Sequence, residues 1–198
     1  LFDKGILNAA GKDVVVIGGG DTAMDCVRTS VRQKAKSVKC LYRRDKENMP
    51  GSAREVTNAE QEGIKFNWLS VPAKILSDSS TATSMTYKVA TLGEVDESGR
   101  RKPIDTGVEK QLKSDLIIQA LGFEPEDLNH NFKTNIELTS WKTVKVDFKK
   151  FQTSNPKIFA AGDIGRGASL VVWSIHDGRE VAKSIHNFLQ SSKIKKAS

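Results

Sequence analysis

The residues with the clearest chemical potential are three glycines that directly follow a run of β-branched side chains. Residues 13–17 are Asp-Val-Val-Val-Ile and residues 18–23 are Gly-Gly-Gly-Asp-Thr-Ala. This G-x-G-x-x-A pattern is informative because a buried strand precedes it and a helix follows it. Gly18 permits the tight bend, Gly20 admits a pyrophosphate against the backbone, and Ala23 lets the helix lie close to the sheet. The pattern predicts a dinucleotide site; the alternative is a turn with a purely structural role.

Two arginines follow the next predicted strand, which covers residues 37–42. They are Arg43 and Arg44. An enzyme that selects NAD places an acid here to accept from the ribose 2′-hydroxyl, whereas guanidinium groups bind the 2′-phosphate of NADP. We therefore favour NADPH over NADH. Asp45 keeps NADH open, because a shift of two residues brings it to the ribose, and a solvated arginine pair is the third alternative.

An aspartate near the carboxyl end of the chain is the third chemical feature. Residues 157–161 predict a buried strand, which leads into Gly162 and Asp163, a glycine-rich turn and a helix over 169–189. At such a sheet edge an aspartate can accept hydrogen bonds from a sugar or ribitol hydroxyl, and a helix N-terminus can face a flavin ring. An aspartate that caps a helix explains the pattern equally well.

The elements that position these residues are of two kinds. The first part predicts a parallel βαβ unit with its helix over 21–33, then a helix from a Ser52–Glu55 capping box to Glu62. The middle predicts an antiparallel meander with polar connectors over 77–84 and 93–106. The fold expected is α/β: a Rossmann-like three-layer domain with a β-meander. The remaining strands are predicted at 64–69, 73–76, 85–92, 108–113, 116–121 and 144–146.

Composition excludes several classes of protein. The 198 residues carry a formal net charge of +7, and the basic residues are scattered rather than arranged in a stripe, which argues against a nucleic-acid partner. No apolar run approaches the roughly 18 residues of a membrane span. Two cysteines are too few for a disulfide framework or an iron–sulfur cluster, and no metal site is indicated. We expect a cytoplasmic protein without a membrane or nucleic-acid partner.

Three motifs together resemble a known family. Residues 14–25, residues 41–45 with 49–51, and residues 159–167 occur in the order found in the small (β) subunits of NADPH-dependent glutamate synthase. The resemblance spans almost the whole chain. The wider group of flavin reductases with two dinucleotide domains, including the amino-terminal part of dihydropyrimidine dehydrogenase, is similar.

The resemblance implies an oxidoreductase and flavoprotein in which NADPH passes hydride to FAD. Electrons then leave through iron–sulfur clusters to a large (α) subunit that makes glutamate from 2-oxoglutarate and glutamine-derived ammonia. It implies an NADPH-binding domain over residues 1–119 and the C-terminal part of a second, FAD-binding domain over 120–198. The cofactor-binding residues so expected are Gly18, Gly19, Gly20, Asp21, Thr22, Ala23, Arg43, Arg44, Gly122, Gly162, Asp163, Ser169, Leu170 and Val171.

Two features of the family are missing from this sequence: a cysteine-rich iron–sulfur segment and a second glycine motif for the FAD adenosine. We therefore expect the carboxyl-terminal portion of such a subunit, with iron–sulfur clusters only in the missing part and weak retention of FAD. Three alternatives stay open. They are a dihydropyrimidine dehydrogenase-like reductase subunit, a module that binds NADPH without turnover, and an electron-transfer scaffold whose basic face docks an acidic large subunit.

Overall fold

The computed structural model describes the backbone of residues 7–95 and 99–197, and side chains as far as Ser191. The chain divides into two compact units, Leu1–Gly122 and Phe123–Ser198. This division lies three residues after the boundary between residues 119 and 120 that the resemblance implies.

The first unit contains a four-stranded parallel sheet in the order β3-β2-β1-β7. The predicted βαβ unit is confirmed, because β1 and β2 pair in parallel and α1 connects them. Val and Ile make up four of the five residues of β1, and all five are buried, as expected for a central parallel strand. The bounds are β1 Asp13–Ile17, α1 Asp21–Arg32, β2 Ser37–Leu41, α2 Ala53–Gln61, β3 Lys65–Asn67 and β7 Leu116–Gln119.

Alternate residues of β1 face two different cores. Val14 and Val16 lie in a cluster with Ala23, Met24 and Val27 of α1. Val15 and Ile17 lie in a second cluster with Leu41, Met85 and Tyr87. The parallel sheet is therefore the middle layer, with helices on one face and an antiparallel sheet on the other, which confirms the predicted three-layer α/β architecture.

The antiparallel sheet has the order β4-β5-β6, with β4 Ser70–Asp78, β5 Thr81–Val95 and β6 Arg101–Lys113. The meander is confirmed, but its strands are longer than predicted. The polar stretch 77–84 contains only a tight turn at Ser79 and Ser80, and β5 and β6 extend into the 93–106 stretch. Polar residues belong to these strands because much of the sheet is exposed to solvent.

Helix α2 begins where predicted but not by the predicted interaction. The Ser52 side chain makes no capping hydrogen bond, and the Glu55 carboxylate pairs with Arg28 of α1 instead. The capping-box prediction is therefore wrong: an ion pair between helices occupies the glutamate. The C-terminal stop is as predicted, since Gly63 follows the helix at a φ of +87°.

The second unit is built from helices and irregular segments. Its helices are α3 Leu128–Phe132, α4 Asp163–Arg166 and α5 Val171–Ala197. The predicted strands at 144–146 and 157–161 are wrong: within the described residues they form only isolated bridges, Leu138 with Val144 and Gln152 with Phe159. Helix α5 continues through Gly178, which weakens a helix without ending it. Among the described helices, none has the length and apolarity that crossing a bilayer would need.

Candidate nucleotide-binding site

The glycine turn joins the carboxyl end of β1 to the first turn of α1. Gly18 has a φ of +146°, and a Cβ atom built on it would lie 2.3 Å from the carbonyl oxygen of Ala120. Its N–H donates to the Leu41 carbonyl across 3.1 Å. Only glycine fits at Gly18, because the backbone after β7 passes directly beside it.

The next two glycines differ in what surrounds them. A Cβ on Gly19 would lie 2.4 Å from the Tyr42 ring, so the ring occupies that space. A Cβ on Gly20 would meet no atom within 4 Å. Gly20 therefore presents its backbone to open space at the N-cap of α1, where the first N–H groups of a helix have no intrahelical partner. This open cradle fits a phosphate group.

The first turn of α1 divides its side chains between solvent and core. Asp21 and Thr22 are exposed, whereas Ala23 is fully buried against the sheet. The Oδ1 atom of Asp21 accepts a hydrogen bond from the Ser52 N–H across 2.9 Å. The structure thus places Gly18 to Ala23 in one turn, with Asp21 bound to the segment before α2.

The two predicted arginines lie in different surroundings. Arg43 is exposed, whereas Arg44 is only 4% exposed and donates from Nε to the Arg101 carbonyl across 2.7 Å. The Arg44 carbonyl accepts from the Leu69 N–H across 3.0 Å. Among the described residues no carboxylate lies within ion-pair distance of either guanidinium. The end of β2 therefore carries two cations, one of them buried, that no carboxylate in the described part of the chain neutralises.

Asp45 is engaged in a local turn. Its Oδ1 atom accepts from the backbone N–H of Asn48 across 3.0 Å and from the Asn48 side-chain amide across 2.6 Å. The Tyr42 hydroxyl donates to the Asn48 carbonyl across 2.8 Å. These bonds shape the loop after β2 and engage Oδ1 of the carboxylate that the sequence left as a possible ribose contact.

Both cysteines are free thiols. Cys40 lies on β2 and Cys26 lies on α1. Cys40 is fully buried, its Sγ donates to the Gly18 carbonyl across 3.4 Å, and burial raises the pKa of this thiol to about 12. Burial, with a smaller contribution from Asp25, also raises the pKa of Cys26. Neither thiol has the lowered pKa of a reactive cysteine.

The remaining predicted residues are exposed or half-buried. Gly122 ends the first unit with a φ of +83°. Within the second unit, Gly162 is the N-cap of α4 with a φ of +72°, and Asp163 opens that four-residue helix with an exposed side chain. Ser169, Leu170 and Val171 are exposed at and just before the start of α5. Within the second unit, Gly162 and Asp163 begin a glycine-rich turn over 162–167, and Ser169 to Val171 follow it at the start of α5.

An ion pair that the sequence analysis missed holds this turn. Arg166 donates from Nε to Oδ2 of Asp177 across 2.9 Å and from Nη2 to Oδ1 across 2.7 Å. The Asp177 side chain is fully buried, and the Arg166 hydrogen bonds lower its pKa to about 2. The Arg166 guanidinium also lies over the rings of Phe148, at 5.1 Å, and Trp173, at 4.9 Å. The eleven-residue spacing of the pair gave no local signal in the sequence.

Comparison with known proteins gives a family and several relatives of high sequence identity. The pattern of the pyridine nucleotide-disulphide oxidoreductase family matches residues 2–183. The chain is 51% identical over 192 residues to the glutamate synthase [NADPH] small chain of Azospirillum brasilense, covering 96% of this chain and 40% of that one. It is 55% identical over 185 residues to a putative glutamate synthase [NADPH] small chain of Cereibacter sphaeroides, covering 92% and 45%.

Solved structures agree on the fold. Thioredoxin reductase of Lactococcus lactis superposes with a TM-score of 0.74 at 24% identity, over 92% of this chain and 54% of that one. This similarity concerns the fold alone. The curated relatives are more than twice as long as the matched region, since the chain spans 40% and 45% of their lengths. On the family match and these identities, the chain belongs to the pyridine nucleotide-disulphide oxidoreductase family.

Proposed function

We propose that the first unit binds NADPH and that the chain is the nucleotide-binding part of a flavin-linked oxidoreductase. The observation that carries the proposal is the pairing of an open glycine cradle with two cations that have no ion-pair partner among the described residues. Gly20 exposes its backbone at the start of α1, and Arg43 and Arg44 follow the neighbouring parallel strand. The carboxyl ends of β1 and β2 lie at one edge of the sheet, where α/β folds bind nucleotides.

The buried guanidinium of Arg44 strengthens this proposal. Burying a cation is unfavourable unless a counter-ion balances it, and residues 7–95 and 99–191 place no carboxylate within ion-pair distance of Arg44. The carbonyl of Arg101 supplies only a dipole. An anion at the end of β2 would balance the charge, and the 2′-phosphate of NADPH is such an anion. Arg43 would bind it from the solvent side, while Arg44, fixed through Nε, would contribute its remaining donors and its charge.

The state of Asp45 favours NADPH over NADH. A carboxylate that selects NADH has to accept from the ribose hydroxyls, but both hydrogen bonds to Asp45 come from Asn48. Turning Asp45 toward a ribose would break that loop structure. The positive charge of Arg43 and Arg44 then dominates the recognition of the ribose end.

The second unit is proposed as the carboxyl-terminal part of an FAD-binding domain. The exposed carboxylate of Asp163 can accept from a ribitol hydroxyl, and Gly162 allows the backbone to turn beside it. Ser169, Leu170 and Val171 present a largely apolar surface suited to an isoalloxazine ring. FAD, when bound, accepts hydride from NADPH and passes electrons on singly.

For the whole protein we propose the activity that its relatives' names describe. Electrons from NADPH would pass through the flavin, and through iron–sulfur clusters held outside these 198 residues, to a glutamate synthase large subunit that forms glutamate. A cytoplasmic location fits this role. A related reductase subunit of the dihydropyrimidine dehydrogenase kind is the second candidate. Assay of the full-length protein with a large subunit separates them: NADPH-dependent glutamate formation supports the first, and pyrimidine reduction without it overturns the first.

The NADPH site is tested by measuring dissociation constants for NADPH and NADH. We expect Arg43→Ala to weaken NADPH binding about 10- to 100-fold, because a charge-assisted contact is lost, while NADH binding changes little. Arg44→Ala is expected to act in the same direction, with its fold checked by circular dichroism. Lys110→Ala removes an exposed charge from β6 and serves as the control. Equal losses for both nucleotides would show that the arginines do not bind the 2′-phosphate.

A further inference from the structure

Asp21 places a carboxylate directly beside the proposed pyrophosphate cradle. It occupies the first turn of α1, immediately after the open face of Gly20. A negative charge there repels a pyrophosphate. Its hydrogen bond to the backbone N–H of Ser52, 2.9 Å long, indicates a different role.

Ser52 ends a segment that lies against the glycine turn. We refer to residues 48–52 as the strap. Besides the Asp21 bond, the N–H of Gly51 donates to the Gly19 carbonyl across 2.8 Å. A Cβ on Gly51 would come to 3.0 Å from that same oxygen, so the two backbones are in direct contact. The amino end of the strap is held by the Tyr42 hydroxyl on the Asn48 carbonyl. The strap therefore connects the end of β2 to the glycine turn.

We propose that Asp21 is a positioning residue, which holds the strap as one wall of the pyrophosphate cleft. The inference rests on the proposed function, because it assigns a wall to the cleft at Gly20. The strap contacts Gly19 and Asp21, and a Cβ on Gly51 would also lie 3.5 Å from the carbonyl carbon of Gly20. The side of Gly20 on which its own Cβ would stand stays open. A pyrophosphate seated on Gly20 is thereby confined on the strap side. NADPH and NADH share the pyrophosphate, so the strap contributes equally to the binding of both.

The backbone N–H of Ser52 can be removed without bending the chain. Ser52 has a φ of −56°, close to the value that a proline ring imposes, and its hydroxyl makes no capping bond. Ser52→Pro therefore deletes the donor to Asp21, while Ser52→Ala deletes the hydroxyl and keeps the donor. The difference between these two variants measures the hydrogen bond itself. On the acceptor side, Asp21→Ala removes the bond, and Asp21→Asn keeps an acceptor without the charge.

Dissociation constants for NADPH and NADH are measured for all four variants and for Asp21→Ala combined with Ser52→Pro. We expect Asp21→Ala and Ser52→Pro, the latter relative to Ser52→Ala, each to weaken both nucleotides about tenfold, the value of one hydrogen bond to a charged group. The NADPH-to-NADH ratio should stay at the wild-type value. The combined variant should lose no more affinity than either single variant. Asp21→Asn should bind both nucleotides more tightly than Asp21→Ala and recover most of the wild-type affinity.

Four results would overturn the inference. They are wild-type affinity in Ser52→Pro, a changed NADPH-to-NADH ratio, a second full loss in the combined variant, and no recovery in Asp21→Asn. Failure of the proposed function has a separate signature, since the wild-type protein itself would then bind neither nucleotide. Circular dichroism of each variant establishes that the fold is intact before affinities are compared.

Discussion

Arg166 and Asp177 are joined by two hydrogen bonds, of 2.9 Å and 2.7 Å, that connect the glycine-rich turn at 162–167 to helix α5. The carboxylate is completely buried and also contacts His176 Nδ1 at 3.3 Å. Because the turn carries Asp163, the pair fixes the place of the proposed flavin ligand relative to the start of α5.

Asp177→Asn should lower the thermal unfolding midpoint by several degrees at pH 7, because it replaces a paired carboxylate with a neutral amide. The folded pKa of about 2 lies below the ordinary value of 3.8. The stabilisation is therefore present above about pH 4 and is lost as the pH falls toward 2. Differential scanning calorimetry of both proteins between pH 7 and pH 2 measures this.

The matched control for this experiment is Glu180→Gln, also on α5. Glu180 pairs with Lys183 at the surface across 2.7 Å, and exposed pairs of this kind contribute little. Its midpoint should stay close to that of the wild type. A difference between wild type and Asp177→Asn that stayed constant down to pH 2 would contradict the assigned pKa.

The three glycines of the turn should separate folding from binding. Gly18→Ala places a side chain at a φ of +146° and against the Ala120 carbonyl, so we expect a loss of more than about 1 kcal/mol in the free energy of unfolding. The Cβ of Gly20→Ala would meet no protein atom within 4 Å. The free energy of unfolding of this variant should lie within about 1 kcal/mol of the wild-type value. Its Cβ should nevertheless weaken the binding of both NADPH and NADH, because it would occupy the proposed pyrophosphate cradle.

Urea unfolding measures the stability of the two variants, and nucleotide titration measures their affinity for NADPH and NADH. Gly20→Ala that unfolds normally and binds NADPH as tightly as the wild type would show that the cradle at Gly20 is not used. Gly18→Ala of wild-type stability would contradict the close approach of β7 to the turn.

Local sequence patterns were sufficient for the βαβ unit at the start of the chain. The β-branched run of β1 and the glycines after it predict a βαβ unit because each signal acts within a few residues. They could not predict where Arg44 points, since its burial depends on β6, which begins at Arg101, 57 residues away. The capping box failed for the same reason, as Arg28 of another helix engages Glu55.

The second unit shows where patterning alone is insufficient. Residues 157–161 are apolar enough to predict a strand, but a strand needs neighbours, and within the described residues Phe159 makes only an isolated bridge. The Arg166–Asp177 pair was missed because its members are eleven positions apart in the sequence, with the end of a turn and the start of a helix between them. Contacts of this kind follow from tertiary structure rather than from periodicity.

The packing of the antiparallel sheet onto the parallel sheet predicts a large effect at Met85. This side chain is 1% exposed and lies among Val15, Ile17 and Leu41. Met85→Ala should cost about 2–5 kcal/mol in the free energy of unfolding. Ile104→Ala, on an exposed position of β6, should change it by about 0.5 kcal/mol or less. Equal effects in urea unfolding would mean that the two sheets do not share a core.

The two cysteines should react with a thiol reagent at very different rates. With a pKa of about 12, only about one Cys40 thiol in 10,000 is ionised at pH 8, and the side chain is completely buried. Cys26 is half-buried and should react first in the native protein, slowly because its pKa is also raised. In a Cys26→Ser variant, reagent uptake should be nearly absent in buffer and rapid in denaturant. Since Cys40 donates to the Gly18 carbonyl, rapid labelling of the native variant would mean that the glycine turn opens, and NADPH at saturating concentration should then slow that labelling.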